Sequence, residues 1–600
     1  MTRKHSLFLM PFIMTVVLSS ILFVSLLLVN APYKWNTVGC AIVCSLLWGG
    51  VWLWDQKRIS SKNDDKKMAL VKINTFLYIG VIFIVVWFMA CTSWNPRQDL
   101  TLNPVQAIDN GTMHADTLFF ASLSESYNHS QFATLLVNDE PHLKYHTFSI
   151  YVMHLISLIT GIQSLFVYNF LYPLIFFPLY GFTFMKAISS MKKLFVGNCV
   201  LSIIDVVLVA FAMIGILPEF VLDASGIWKS STMLSESYMF AVILSFIFFS
   251  VLPYGLLSKE TRVHRFFCMI VLPAFIILIS ASKISVGFIM TGAICYYFFR
   301  LHKKFSLPWV LAFVYAVLFV GCFFVFSAKR GGAETGVQWR LLAFRVYCAN
   351  YLFLLGHYLY LALPMGAFCF IHSQRERYDF VNLRQDFRKG RTVWIELMAL
   401  VAGLGFLPGL LLHIPGGNAA YFSYFVEVFG IVFLCANNYL NSFILRFQGK
   451  YLGVLCLLWG MVLLVGNISL APITWNQIEN VHVSQLFEDT ERLRQLTKGN
   501  EQEYVLYVRK DALGAKTFSH PIAKVFLYPA LTGCSVINAT YYRNGQLYNY
   551  ADEEVGFYGL YASRQQEKLS LPQAMETARS MGKRYLIEIS STEHSVIPLT

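Results

Sequence analysis

DNGTMHADTLFFASLSESYNHS (residues 109–130) and NDEPHLKYHTFSIYVMHLISLITGI (residues 138–162) bound the stretch on which this chain's fold turns. The acids and imidazoles gather here: Asp109, His114, Asp116, Glu125, Asp139, Glu140, His142 and His146, with Lys144 and Tyr145. Long apolar runs lie on both sides. The stretch therefore reads as a polar excursion between membrane spans, with the rest of the chain as a scaffold and a soluble cap at the end.

Composition supports that frame. Of 600 residues, 56% are apolar and only 14% charged, and the mean hydropathy is +0.55. Soluble domains carry about 25% charged residues, so this is a polytopic membrane protein. The net charge of +13 falls in short segments between apolar runs, as membrane topology requires, so nucleic acid is not an expected partner. The 12 cysteines form no CxxC and no paired framework, which argues against a zinc site or a disulfide scaffold.

Charge bias sets the expected orientation. Arg3 and Lys4 place the N-terminus in the cytoplasm, and the Lys/Arg-rich segment 55–72 marks a return to it. Residues 1–72 thus form an N-terminal two-span addition, and residues 73–466 a multi-span core with a long external loop at 95–147. That loop holds six acids against Arg97 and Lys144. Phe148–Ile162 is short for a crossing, and Thr160-Gly161 turns it into the next run, so an interfacial helix is expected. Basic loops at 258–265, 300–304, 375–391 and 446–450 continue the alternation, for about 13 spans in all. Residues 467–600 then form an extracytoplasmic α/β domain. Within it a helix over Ser484–Lys498 ends at Gly499, and Tyr504–Val508 and Tyr585–Ile589 read as strands. Ser570-Leu-Pro-Gln573 is a capping box.

Several groups have the chemistry for a site. A carboxylate near a bilayer can act as general base on an acceptor hydroxyl. Asp116, opening an amphipathic helix, is the first candidate, with Asp109 and Glu125 as further catalytic candidates and His114 as a binding residue. Glu125, nine positions on, falls on the opposite helix face. Asp139, Glu140 and His142, with His146, could hold a divalent cation, since oxygen and imidazole donors suit Mn²⁺ or Zn²⁺; Mg²⁺ or Mn²⁺ is the cofactor expected, if any. Equally, Asp139 and Pro141 could simply open a helix. Lys144, Tyr145 and His146 stand where the loop re-enters the membrane, and could hold a phosphate or merely anchor at the interface. Lys283 lies alone within the apolar run Phe266–Phe299, either at a hairpin tip or facing a cavity; an intramembrane cation is costly and usually functional. Arg330, Arg340 and Arg345 break the positive-inside trend and could clamp a phosphate or diphosphate.

Asp116 with its following aromatics, then Leu143-Lys-Tyr-His146, an apolar stretch and Thr160-Gly161, resembles the bacterial membrane glycosyltransferases of the GT-C superfamily. The resemblance runs from about residue 73 to the C-terminus. It implies a polyprenyl-phosphate- or polyprenyl-diphosphate-linked sugar donor. It further implies a cell-envelope glycan or lipid acceptor, membrane lipids as partners, and Asp116 at the loop's catalytic acid position. It places the protein in the bacterial cytoplasmic membrane with the C-terminal domain outside. The rival expectations are a polysaccharide polymerase or ligase, a lipid-linked-glycan transporter, and a non-enzymatic assembly scaffold.

Overall fold

The computed structural model describes, with short gaps, residues 115–196, 201–209, 235–256, 261–301, 307–326, 351–376, 392–413, 420–437, 485–555 and 567–599, plus isolated positions between them. The expected spans before residue 95 and after residue 450 lie almost wholly outside these.

The loop helix α1 (Ala115–Ser126) begins with Asp116 in its first turn, where a carboxylate meets the positive end of the helix dipole. Next comes α2 (Phe148–Thr160), closed by Gly161 at φ +69, whose N–H bonds Ser157 O at 2.8 Å. At 1.5 Å per residue α2 is about 20 Å long, short of a hydrocarbon core of about 30 Å. Leu158 and Ile159 at its end are largely exposed. A short helix and a π-helical turn then lead into α3 (Tyr172–Val196).

The bundle continues with α4 (Glu236–Leu256), α5 (Thr261–Ser282, with a π-helical turn), α6 (Ile284–Leu301), α7 (Leu307–Phe326), α8 (Tyr351–Glu376), α9 (Val393–Leu411) and α10 (Ala420–Ala436). Among the described residues, α4, α5, α7 and α9 are long and apolar enough to cross a membrane. In α7 only Ala312, Tyr315 and Cys322 are buried, while Phe313, Val317 and Phe324 are more than half exposed. An apolar helix with so much exposed apolar surface has a lipid-facing side.

A single residue joins α5 to α6. Lys283 leaves helical space (φ −156, ψ 112). Its N–H still bonds Ile279 O at 2.8 Å, and its carbonyl accepts the N–H of Gly287 at 3.1 Å. The two helices meet so closely below this corner that a Cβ on Gly287 would lie 2.3 Å from Ser280 Oγ. Alanine there would force the hairpin apart.

The terminal region is α/β, with α11 (Gln485–Thr497), α12 (Pro521–Thr532) and α13 (Leu571–Ser580). Its strands β1 (Tyr504–Val508), β2 (Ser535–Val536), β5 (Tyr585–Ile589) and β6 (His594–Pro598) form one sheet in the order β2-β1-β5-β6. The first three strands are parallel and β6 is antiparallel. A separate hairpin pairs β3 (Thr540–Arg543) with β4 (Gln546–Asn549). Both expected strands, the helix before Gly499 and the Ser570 capping box are present. Ala574 and Ala578 of α13 pack with Val505 and Leu586 in a small core of their own.

Most of this region shares a core with the loop and the bundle. Phe119 and Leu123 of α1, Tyr238 of α4, Phe425 of α10 and Phe526 and Leu531 of α12 belong to one buried cluster. The loop also extends the sheet: Asn138 N–H bonds Val536 O at 2.7 Å and Val536 N–H bonds Leu136 O at 3.0 Å, a parallel bridge onto the β2 edge.

Candidate functional site

Asp116 does not stand alone. Glu236, the first residue of α4, is 2% exposed and lies within electrostatic reach of both Asp116 and Lys283. Lys283, 4% exposed at the α5–α6 corner, sets its Nζ 3.7 Å from the ring centre of Tyr421, in the first turn of α10. Tyr421 in turn feels the charges of Glu236 and Asp116 and shares a hydrogen bond with Ser235. The buried Tyr168 donates to Glu236 Oε2 at 3.3 Å and stacks on Phe120 of α1, at 5.8 Å between centroids. Thus α1, the π-helical turn before α3, the start of α4, the α5–α6 corner and the start of α10 meet at one end of the bundle.

The physical sense of each part is clear. A tyrosine ring attracts an ammonium through its quadrupole without neutralising it, and a charge at low dielectric acts strongly on an anion. Glu236 stands between the two other charges, and Asp116 is the less buried of the two acids. Among the described residues, the hydroxyls of Tyr238, Ser280 and Ser285 are buried without partners. The last two flank Lys283 in sequence.

The remaining candidates separate into two groups. Glu125 is apart from Asp116, near the other end of α1. It accepts the N–H of Ser164 at 3.0 Å and the Asn128 side chain at 2.9 Å. One of its oxygens thus holds the chain where it enters the next helix, and the other the turn that follows α1. Glu140 likewise ion-pairs with Lys583 at 2.5 Å. Burial pushes its carboxyl up, but the charge and hydrogen bond of Lys583, with a bond from Ser535, outweigh that and hold it below the usual range. His142 is exposed, in a bridge with Thr134 and edge-on to Phe132. Among the described residues no group of three His, Cys, Asp or Glu side chains is arranged to hold a metal. Of the expected cation ligands Asp139, Glu140 and His142, with His146, only Glu140 and His142 are described, and Glu140 is engaged by Lys583. Asp109, His114, Asp139, Lys144, Tyr145, His146, Arg330, Arg340 and Arg345 lie outside the described residues.

Glu236 is not among the residues that the sequence singles out. Its position just before the apolar run of α4 was the available signal: a carboxylate at the mouth of a span is seldom left there without a partner.

No family model matches the chain, and no curated protein sequence does. Among solved structures it is similar to the archaeal oligosaccharyltransferase AglB from Archaeoglobus fulgidus, in complex with an inhibitory peptide and a dolichol-phosphate. The TM-score is 0.42 at 12% identity, covering 86% of this chain and 69% of that one. It is also similar to the Archaeoglobus fulgidus oligosaccharyltransferase in the apo form (TM-score 0.44, 11% identity, 86% and 69% covered). The same enzyme in complex with Zn and sulfate gives TM-score 0.39 and 14% identity, with 85% and 67% covered. Likeness at this level carries no functional weight, and the meaning of the site rests on its own side chains.

Proposed function

We propose that this chain is a membrane glycosyltransferase. It moves a sugar from a polyprenyl-phosphate or polyprenyl-diphosphate carrier to a hydroxyl of a cell-envelope glycan or lipid at the extracytoplasmic face. The observation that carries this reading is the meeting of Asp116, Glu236 and Lys283 at one end of an apolar bundle. A lipid-linked phosphate has its apolar tail in the membrane and its anionic head at the boundary, and Lys283 lies at one end of the apolar bundle.

In the proposed reaction the acceptor oxygen attacks the anomeric carbon of the sugar as its proton passes to the Asp116 carboxylate. The carbon–oxygen bond to phosphate breaks, and the electron pair leaves with the lipid phosphate. Lys283, fixed beforehand over Tyr421, stabilises the developing charge, and preorganised charge of this kind is commonly a large part of catalysis. Glu236, which accepts a hydrogen bond from Tyr168, stands beside Lys283. Asp116 and Glu236 offer oxygen donors that suit Mg²⁺ or Mn²⁺. They fall short of a ligand set among the described residues, and no step is assigned to a metal.

Replacing Asp116 with Asn tests this. Transfer from a lipid-linked sugar should fall by about 100-fold or more, with the thermal midpoint little changed because the side chain keeps its size. Turnover equal to the parent's would remove Asp116 as the base.

A further inference from the structure

The terminal α/β region does more than cap the loop. Phe119, one turn along α1 from Asp116, meets Phe526 of α12 edge-on at 5.1 Å. The Gln163 side chain, just before the chain re-enters the bundle, donates to Leu531 O at the end of α12, at 2.7 Å. Beyond α1, Leu136–Asn138 runs as an extra parallel strand on β2. Asn138 and Glu140 both have positive φ, +52 and +53, a strained conformation for non-glycine residues that persists only where the surroundings enforce it.

Two contacts do so. Asn138 Nδ2 donates to Thr540 O at 3.1 Å and to Thr540 Oγ1 at 3.0 Å. Lys583, its side chain 6% exposed, pairs with Glu140 at 2.5 Å and donates to Gln502 O at 3.1 Å. A buried ion pair adds little net stability compared with apolar groups of the same size, but it fixes one register, and register is what α1 needs. With Asp116 in its first turn, a slide of about 1 Å would separate the carboxylate from the acceptor hydroxyl, and such a misplacement can cost roughly 100-fold in rate.

We infer that Lys583 and Asn138 are positioning residues for Asp116: the terminal α/β region sets the register of α1 through the Lys583–Glu140 pair and the strand added at Leu136–Asn138. This rests on the reading of Asp116 as the base, so its test includes a readout independent of turnover.

In the full-length protein, Glu140→Lys and Lys583→Glu are made singly and together. Each reversal alone should lower kcat by about tenfold or more, with KM for the lipid donor changed less than about twofold. The exchanged pair should recover to within about threefold of the parent, because coupled partners are non-additive. In parallel, Asp116→Cys reports position directly. Its labelling by a soluble thiol reagent, mapped by mass spectrometry, should rise several-fold with either reversal and return in the exchanged pair. Should a reversal fail to fold, Glu140→Gln with Lys583→Met replaces it as an uncharged pair, and lowered kcat with raised labelling is again expected. Unchanged kcat and labelling in folded single variants would overturn the inference. So would equal loss in the singles and the exchanged pair. If Asp116→Asn keeps full turnover, the base assignment falls, and the labelling series still decides whether the terminal region positions α1.

Discussion

At one end of the bundle, Arg300 of α6 grips Glu396 of α9 through two hydrogen bonds, at 2.6 and 3.0 Å, and Tyr296 and Thr392 donate to the same carboxylate. Nearby chemistry repeats at the end of α3, where Lys192 and Asp205 form an ion pair with both side chains under 5% exposed, and Ser202 adds two bonds to the aspartate. At the other end, Glu236 lies within electrostatic reach of Asp116 and of Lys283, which rests on an aromatic ring. The first arrangement is one cation to one acid, closed by local donors; the second draws its charged groups from three separate elements and rests its cation on a ring. Closed pairs of this kind join helices. On the proposed reading, the second arrangement is where the lipid phosphate is received.

That contrast can be broken by matched substitutions. Lys192→Met leaves Asp205 buried without its cation and should cost about 3–5 kcal/mol of stability, read as a large fall in thermal midpoint. The turnover of the folded fraction should be unchanged. Lys283→Met should do the reverse, lowering turnover about 100-fold with a smaller fall in midpoint. If the two variants behave alike, the ends of the bundle do not differ as described.

A smaller effect sharpens the role of the ring. Tyr421→Leu removes the face under Lys283 and should lower kcat/KM about tenfold, whereas Tyr421→Phe should stay within about threefold of the parent. A large loss in the phenylalanine variant would shift the weight from the ring to the hydroxyl.

The smallest effect concerns pH at the loop. Burial pushes His129 below its ordinary value, and Lys583 adds to this; Glu140, Glu501 and Glu125 pull the other way without reversing it. Because the folded value is depressed, the unfolded loop takes up a proton first. Its contribution is therefore complete above the ordinary histidine value of about 6.5 and is lost as pH falls through that value. Amide protection across residues 129–138, taken relative to the base-catalysed intrinsic exchange rate at each pH, should fall between pH 7.5 and 5.5. In His129→Gln the pH dependence should flatten.

What could be read from the chain alone follows from how local each signal is. The Ser570 capping box, the helix stop at Gly161 and strands Tyr504–Val508 and Tyr585–Ile589 are set by residues within a few positions, and each appears as expected. Lys283 was legible because one charge in an apolar run is conspicuous. Glu236 was not, since its meaning comes from Lys283, Tyr168 and Tyr421, distant in the chain and joined only by packing. The strand at Leu136–Asn138 was hidden for the same reason: three residues carry no periodicity, and their partner is the edge of β2. The pairing of Glu140 with Lys583 was hidden likewise, since 443 positions separate them.

The most direct measurement is a structure of the full chain with a polyprenyl phosphate bound. The account predicts the phosphate oxygens within about 3 Å of Lys283 Nζ, with the carboxylate of Asp116 facing the space beyond the phosphate. A phosphate seated elsewhere in the protein, with Lys283 still closed against Glu236 and Tyr421, would contradict it.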